Sequence, residues 1–317
     1  MSIKMKNLLT HLQHPNSTKD YQAEDEADAI KISEYWGRRT YQNQKPKISF
    51  ELFPPKSDSA NKLLKKTHQK LSEINPDYFS VTFGALGLSQ NDTFDTVADL
   101  SENTKIPIIP HLTCVGIDKK QVTDLLDEYI AQGVNQIMVL KGDYPKTIIK
   151  KGDFNYANEM VEFIKENYLD INILVAAYPE KHPHSNCIST DIDFFVNKVN
   201  AGADEAVTQY FYNIDAYLHF IEEVQKRNID IPITPGIMPI TNYDQLIYFS
   251  KTCGAEIPAW ILNKLKLYKN DLNSLKEFGE DVVSEMCLKL KDNGVSSFHF
   301  YCLNKAEPTL SIVKKIT

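Results

Sequence analysis

The chain has 317 residues, 42% hydrophobic and 24% charged, which supports a large buried core and excludes a disordered polymer. Lys and Arg total 35 against 42 Asp and Glu, a formal net charge of -7, and no basic stripe interrupts that balance, so a nucleic-acid backbone is a poor partner. The five cysteines, at 114, 187, 253, 287 and 302, form no CxxC pair or metal-type spacing and read as reduced thiols. Met1–Thr10 turns polar by His11 without an apolar signal core, and no apolar run of about 18 residues occurs. A soluble, cytoplasmic protein is expected.

Residues 1–46 differ from the rest. Asn16–Ala29 is polar and acid-rich, and Ile30, Ile32, Tyr35 and Trp36 then give a short apolar pattern fit for one helix docked outside the main domain. From Lys47 onward, β-branched and aromatic runs recur at Ile48–Phe53, Tyr78–Phe83, Ile108–Thr113, Gln136–Leu140, Ile173–Ala177, Ala206–Phe211, Ile231–Ile237 and Ser297–Cys302. Between them lie stretches with helical spacing, such as Val122, Leu125, Leu126 and Tyr129. Gly133, Gly202 and Gly294 sit just past such stretches, where a helix end favours a residue tolerant of positive φ.

Strands alternating with helices define an α/β protein, and eight strands favour a closed (β/α)8 TIM barrel over an open sheet. The expected organisation is an N-terminal helical extension over 1–46 and a single catalytic barrel over 47–317. The long interval from Met238 to Phe298 should hold an extra helix or loop.

A barrel of this kind does its chemistry where strands end and βα loops begin. The polar residues at those ends are Glu51, Thr82, His111, Lys141 with Asp143, Tyr178 with Glu180 and His182, and Gln209. Six successive strands deliver polar groups to one rim, the pattern of a ligand site. Glu51, walled by Phe50, Leu52 and Phe53 before Pro54-Pro55, would lose solvation and stay protonated near neutrality, as a general acid requires; a structural glutamate bonded to a backbone amide is the alternative. Asp143 follows Leu140-Lys141-Gly142, where glycine permits close backbone approach to a ligand, although a turn aspartate would look the same. His111 also fits a satisfied core histidine, and Gln209 a core amide. GxGxxG and GxxxxGK[ST] are both missing, so any dinucleotide must be held by barrel loops. His182 and His184 lack a third ligand, and no metal is expected.

Phe50–Pro55, Ser80–Gly84, Pro110–Cys114, Leu140–Asp143, Ala176–Glu180 with His182-Pro183, and Thr208–Phe211 together resemble the methylenetetrahydrofolate reductase family. Pro235–Pro239, Ile257–Trp260 and Phe298–Asn304 extend the likeness, which runs in order from about Lys47 to Glu307. The resemblance implies an FAD-containing barrel that reduces 5,10-methylenetetrahydrofolate to 5-methyltetrahydrofolate with NADH or NADPH, NADH favoured, in one-carbon metabolism and methionine biosynthesis. It implies ping-pong transfer, with nicotinamide and folate using one slot in turn. Carried over, Glu51 is the acid that helps open the methylene bridge and Asp143 the carboxylate that tunes flavin and pterin. Thr82, His111, Leu140, Lys141, Gly142, Asp143, Tyr156, Ala157, Tyr178, His182, Asp191 and Lys198 become FAD contacts, and Gln209, Gln245 and Phe249 folate contacts. Lys141 and Lys305 stand where the family commonly has arginine. Lysine keeps the charge but loses the planar fork, and Lys305 becomes the residue facing the folate carboxylate tail. The family pattern also implies no C-terminal regulatory domain after Thr317 and leaves homo-oligomerisation open. Another flavin barrel such as an amino-acid dehydrogenase, a Schiff-base aldolase using Lys141, and a non-catalytic binding barrel are the competing readings.

Overall fold

The computed structural model describes residues 45–83, 90–142 and 152–317. The expected extension over 1–46 therefore lies outside the described residues except for Lys45 and Pro46. Nine parallel strands are described: β1 (Lys47–Leu52), β2 (Tyr78–Val81), β3 (Ile108–Thr113), β4 (Gln136–Leu140), β5 (Asn172–Ala177), β6 (Glu205–Thr208), β7 (Ile233–Thr234), β8 (Gly236–Ile237) and β9 (Ser297–Tyr301). Each pairs with its sequence neighbour from β1 to β7, and β9 lies between β1 and β8.

β7 and β8 are two-residue segments on either side of Pro235, and they share one barrel position. Proline has no N–H to give to a ladder, so the strand changes partner there. Ile233 and Thr234 pair with Ala206 and Val207 of β6, while Gly236 and Ile237 pair with His299 and Phe300 of β9. The Pro235 carbonyl still accepts from His299 N at 3.0 Å. The ring thus closes as eight staves, and the seventh expected run, Ile231–Ile237, is corrected to a broken strand. The sixth run is corrected as well: β6 stops at Thr208, and Gln209–Phe211 leave the ladder to form the rim.

Ten helices are described outside the ring: α1 (Asp58–Ser72), α2 (Gln90–Ser101), α3 (Lys119–Ala131), α4 (Ala157–Asn167), α5 (Ile188–Asn200), α6 (Ile214–Gln225), α7 (Tyr243–Cys253), α8 (Ala259–Leu267), α9 (Leu272–Asp292) and α10 (Thr309–Ile316). The interval after β8 holds three of them, more than the single extra element expected. α1 starts where Ser57 caps it through a bond from Ala60 N at 3.2 Å, and α3 where Asp118 and Gln121 form a reciprocal capping box. Gly133, Gly202 and Gly294 follow α3, α5 and α9 with φ of 83°, 114° and 87°, as their placement predicted.

Period-two alternation divides the strand side chains. Phe50, Leu52, Phe79, Val81, Leu112, Val139, Val175, Phe298 and Phe300 are buried in the main core between sheet and helices. The opposite set points into the ring, where Ile109, Met138, Leu174 and Val207 make a small apolar plug.

Gly236 marks the tightest point of closure. A Cβ there would lie 2.1 Å from the Thr208 carbonyl oxygen and 2.5 Å from the Tyr301 ring. Gly236→Ala must push strands apart, so it is expected to destabilise the fold by about 1–3 kcal/mol. Urea unfolding measures this, and an unchanged midpoint would show that the closure has slack.

Candidate functional site

The inward face above the apolar plug is polar, against the usual filling of barrel interiors by branched apolar side chains. β1 contributes Ser49 and Glu51, β2 Ser80, β3 His111, and β9 His299 and Tyr301. Strand register fixes this layer, for Glu51 lies opposite Ser80 on one side and Tyr301 on the other. Ser49 Oγ and His299 Nδ1 share a hydrogen bond of 2.8 Å, and Ser80 Oγ lies 3.5 Å from His299 Nε2. Tyr78 stacks on the His299 ring at 5.6 Å, and the Tyr301 hydroxyl donates to the Thr208 carbonyl at 2.7 Å.

Glu51 is the chemically singular member. Its side chain keeps 21% of its surface open to the mouth, yet burial raises its pKa to about 8. The nearest ring nitrogen, His111 Nε2, is 3.9 Å from Glu51 Oε2. It supplies no counter-charge, because burial depresses the His111 pKa to about 3 and the ring is neutral. His299 is neutral for the same reason, also near 3. At neutral pH the mouth therefore holds a protonated carboxyl beside neutral imidazoles.

A second group of expected residues meets on the β4–β5 side. Leu140 ends β4, Gly142 turns the chain at φ 79°, and Lys141 Nζ lies 4.9 Å from the centre of the Tyr156 ring. A Cβ on Gly142 would come within 2.8 Å of Thr113 Cβ, so this glycine is required by packing of β3 on β4 as well as by the turn. Tyr156, 54% exposed, precedes the first residue of α4, Ala157. Past β5, Tyr178 meets the His182 ring edge-on at 4.7 Å, and Asp191 on α5 accepts from His182 N at 2.9 Å and Ser185 Oγ at 2.7 Å. Lys198 donates its ammonium to the Ala176 carbonyl, and burial lowers its pKa to about 8 against the opposing pull of Asp191. His182 feels the charges of both Lys141 and Lys198. Lys141, Tyr156, Tyr178, His182, Asp191 and Lys198 are thus one neighbourhood.

Thr82 leaves β2 with its amide bonded to Leu52 O at 3.0 Å and its carbonyl receiving Thr93 Oγ1 at 2.9 Å. The Thr82 hydroxyl and His111 Nε2 are both buried without a hydrogen-bond partner among the described residues. Gln209 follows β6, its side-chain oxygen accepting from Tyr210 N at 3.0 Å. Gln245 and Phe249 sit one turn apart on α7 and share a face. Lys305 is exposed on the β9 loop. Beside it Asn304, in left-handed conformation, clamps Phe53 by two bonds, from Phe53 N at 3.0 Å and to Phe53 O at 2.8 Å. Asp143 lies outside the described residues.

Ser49, Ser80, His299, Tyr301 and Asn304 were not singled out in the sequence. The inward phase of Ser49 and Glu51 on β1, and of His299 and Tyr301 on β9, was the signal that could have found most of them.

Closed barrel, polar mouth and protonated buried carboxyl define an enzyme of the (β/α)8 class with its site at the strand C-terminal ends. The family model described as methylenetetrahydrofolate reductase matches residues 37–317. The chain belongs to that family and is an oxidoreductase. The 5,10-methylenetetrahydrofolate reductase of Buchnera aphidicola subsp. Schizaphis graminum is 38% identical over 270 residues, 85% of this chain and 91% of that protein. The Escherichia coli K12 enzyme of the same name is 33% identical over 265 residues, 84% and 88% of the two chains. Among solved structures, an uncharacterized protein from Clostridium thermocellum that binds two copies of 5-methyl-5,6,7,8-tetrahydrofolic acid shares the fold with a TM-score of 0.62 at 16% identity, covering 89% of this chain and 98% of that one. No described helix is long and apolar enough to cross a membrane.

The raised Glu51 pKa has a signed consequence. The folded state holds this proton up to about pH 8, whereas an unfolded glutamate releases it near 4.5, so Glu51 costs stability progressively as pH rises between those values. Glu51→Gln should be more stable than the parent at pH 9, and the advantage should vanish by about pH 4. Thermal unfolding at the two pH values checks this, and a constant difference would place Glu51 in a solvated environment.

Proposed function

We propose that this chain carries out its family's methylenetetrahydrofolate reduction with non-covalently held FAD and with NADH, in preference to NADPH, as the electron donor. The two substrates use one slot in turn, and Glu51 serves as the acid. The observation that carries this reading is the protonated, desolvated Glu51 at the barrel mouth, because opening a methylene bridge requires a proton on the departing nitrogen. The folate bound by the Clostridium thermocellum protein is in keeping with the choice of substrate.

The residues present fit a flavin dinucleotide. Thr82 Oγ1 and His111 Nε2 are buried polar atoms on adjacent strands without a described partner, as expected of groups that bond a ligand. Lys141 with Tyr156, and His182 with Asp191 and Lys198, supply cationic and aromatic surface along the β4–β5 edge for a pyrophosphate and its flanking groups. Leu140, Gly142, Ala157 and Tyr178 would complete the cradle, and Asp143 is assigned beside the flavin ring. When bound, the flavin supplies the hydride relay between nicotinamide and one-carbon unit.

The chain's own residues orient and protonate. Gln209 and Gln245 offer amides to the pterin edge, and Phe249 offers a face against which either flat substrate stacks. Lys305, on the open rim, faces the carboxylate tail. Glu51 delivers its proton to the leaving nitrogen, and its burial among neutral groups keeps that proton in place between turnovers. No metal is invoked.

The purified protein should show flavin absorption that bleaches on anaerobic addition of NADH; a colourless protein that takes up no FAD on reconstitution would overturn the assignment. Glu51→Gln should leave reduction by NADH nearly unchanged and slow reoxidation of the reduced enzyme by methylenetetrahydrofolate by about 10²–10⁴-fold. Stopped-flow mixing separates the two steps, and reoxidation at the parent rate would make Glu51 structural. Lys305→Ala loses a contact worth about 1.5–3 kcal/mol, so the folate KM should rise roughly ten-fold or more while reduction by NADH is untouched.

A further inference from the structure

Glu180 lies outside the set of residues assigned to cofactor or substrate, yet it is built into the fold with care. It follows Tyr178 in the loop after β5. Its Oε2 accepts from Glu256 N at 2.8 Å, across 76 residues, just past the end of α7. Its Oε1 is buried and bonds no other described residue, and burial raises its pKa to about 7 against the opposing pull of the Glu256 amide. A half-buried carboxyl that reaches for one distant backbone amide is a costly arrangement.

Three further contacts converge on the same junction. The Tyr210 hydroxyl, on the β6 loop, bonds Ser250 Oγ of α7 at 3.0 Å within the buried interior. α7 ends at Gly254 with φ 79°, where a Cβ would lie 3.0 Å from Pro183 Cγ and 3.5 Å from the Lys181 carbonyl, so the helix end seats directly on the β5 loop. That loop is itself stiff. Lys181 holds φ 146°, its ammonium bonds Ser185 O at 2.8 Å, and Asp191 grips His182 N and Ser185 Oγ. Tyr178, Glu180, Gln209, Tyr210 and Cys253 all line one small space at this junction.

The junction joins two functional edges. The β5 loop carries Tyr178 and His182, on the side assigned to the cofactor, and α7 carries Gln245 and Phe249, assigned to the substrate. We propose that Glu180 is a positioning residue: by holding Glu256 N it locks the end of α7 onto the β5 loop, and so fixes the spacing between the cofactor edge and the substrate-binding face of α7. Without this lock α7 remains attached through Tyr210 and Ser250 but can pivot about that point, and the amide and aromatic it presents lose their register with the slot. This role rests on the reading of α7 as part of the substrate site.

The test compares Glu180→Ala with Glu180→Gln in the full-length protein by hydrogen exchange and by kinetics. In Glu180→Ala, exchange at the Glu256 amide should rise by at least about ten-fold, as for a lost bond to a charged or strongly polar acceptor, and the folate KM should rise by a similar factor. Flavin content should stay at the parent value, whereas the NADH KM should rise as well, because Phe249 serves both substrates in the shared slot. Glu180→Gln keeps an acceptor oxygen for Glu256 N and should restore both slow exchange and the parent KM. Should the alanine variant fail to fold, Glu180→Asp, one methylene too short to span the gap, serves in its place. Unchanged exchange at Glu256 would overturn the lock, and fast exchange with an unchanged folate KM would overturn its positioning role. Gln245→Ala run in parallel distinguishes the two levels: if it also leaves the folate KM unchanged, the reading of α7 as substrate-binding is what fails.

Discussion

Desolvation of one carboxyl inside a closed ring governs this molecule. Glu51 faces the barrel interior because β1 alternates, and it stays protonated because the groups around it are neutral rather than cationic. Pairing it with a buried lysine would have held it ionised and removed the acid. The surrounding architecture keeps that environment: apolar side chains plug the ring below it, His299 is held by Ser49 beside it, and Asn304 clamps the chain that leaves β1 above it.

Closure of the ring is the condition for this environment, and closure is achieved by an irregularity. Pro235 breaks the seventh stave into two short pieces that each satisfy one neighbour, and Gly236 lets Tyr301 and the Thr208 carbonyl pass within van der Waals distance. Tyr301 then bonds that carbonyl, which joins β9 to β6 across the mouth. A regular strand with a side chain at 236 would satisfy the ladder and hold the mouth wider. The same crowding keeps Tyr301 beside Glu51, where its phenol, pushed well above its ordinary pKa by burial, remains neutral.

The rim is divided by chemistry. Lys141, Lys198, the Tyr156 and Tyr178 rings and His182 gather on the β4–β5 side, while Gln245 and Phe249 lie on α7 and Lys305 on the β9 loop. The two sides are joined through the β5 loop, which takes part in both. Burial lowers the pKa of both Lys198 and His182, in each case against the pull of Asp191. Such a surface suits the anionic cofactor we propose for it.

Much of this was legible in the sequence because it is local. Eight hydrophobic runs at barrel spacing specified the class of fold, because they depend on residues adjacent in the chain. The raised pKa expected for Glu51 has a different cause from the one its neighbours suggested: Phe50 and Leu52 face the helices, and burial inside the ring desolvates the carboxyl. The order of the motifs along the chain carries the family likeness, which the family match over residues 37–317 bears out. Other features could be decided only by tertiary structure. The runs Ala206–Phe211 and Ile231–Ile237 look like uninterrupted strands, yet whether a residue stays in a ladder depends on the partner it meets, and Gln209 and Pro235 meet none that continues it. The inward polar layer of Ser49, Ser80, His299 and Tyr301 draws on three strands as distant as β1 and β9, and the reach of Glu180 to Glu256 spans 76 residues. Sequence determines which side chains are available and which face of a strand each occupies; only the closed ring, by setting register and removing water, decides which of them meet and what charge they carry when they do.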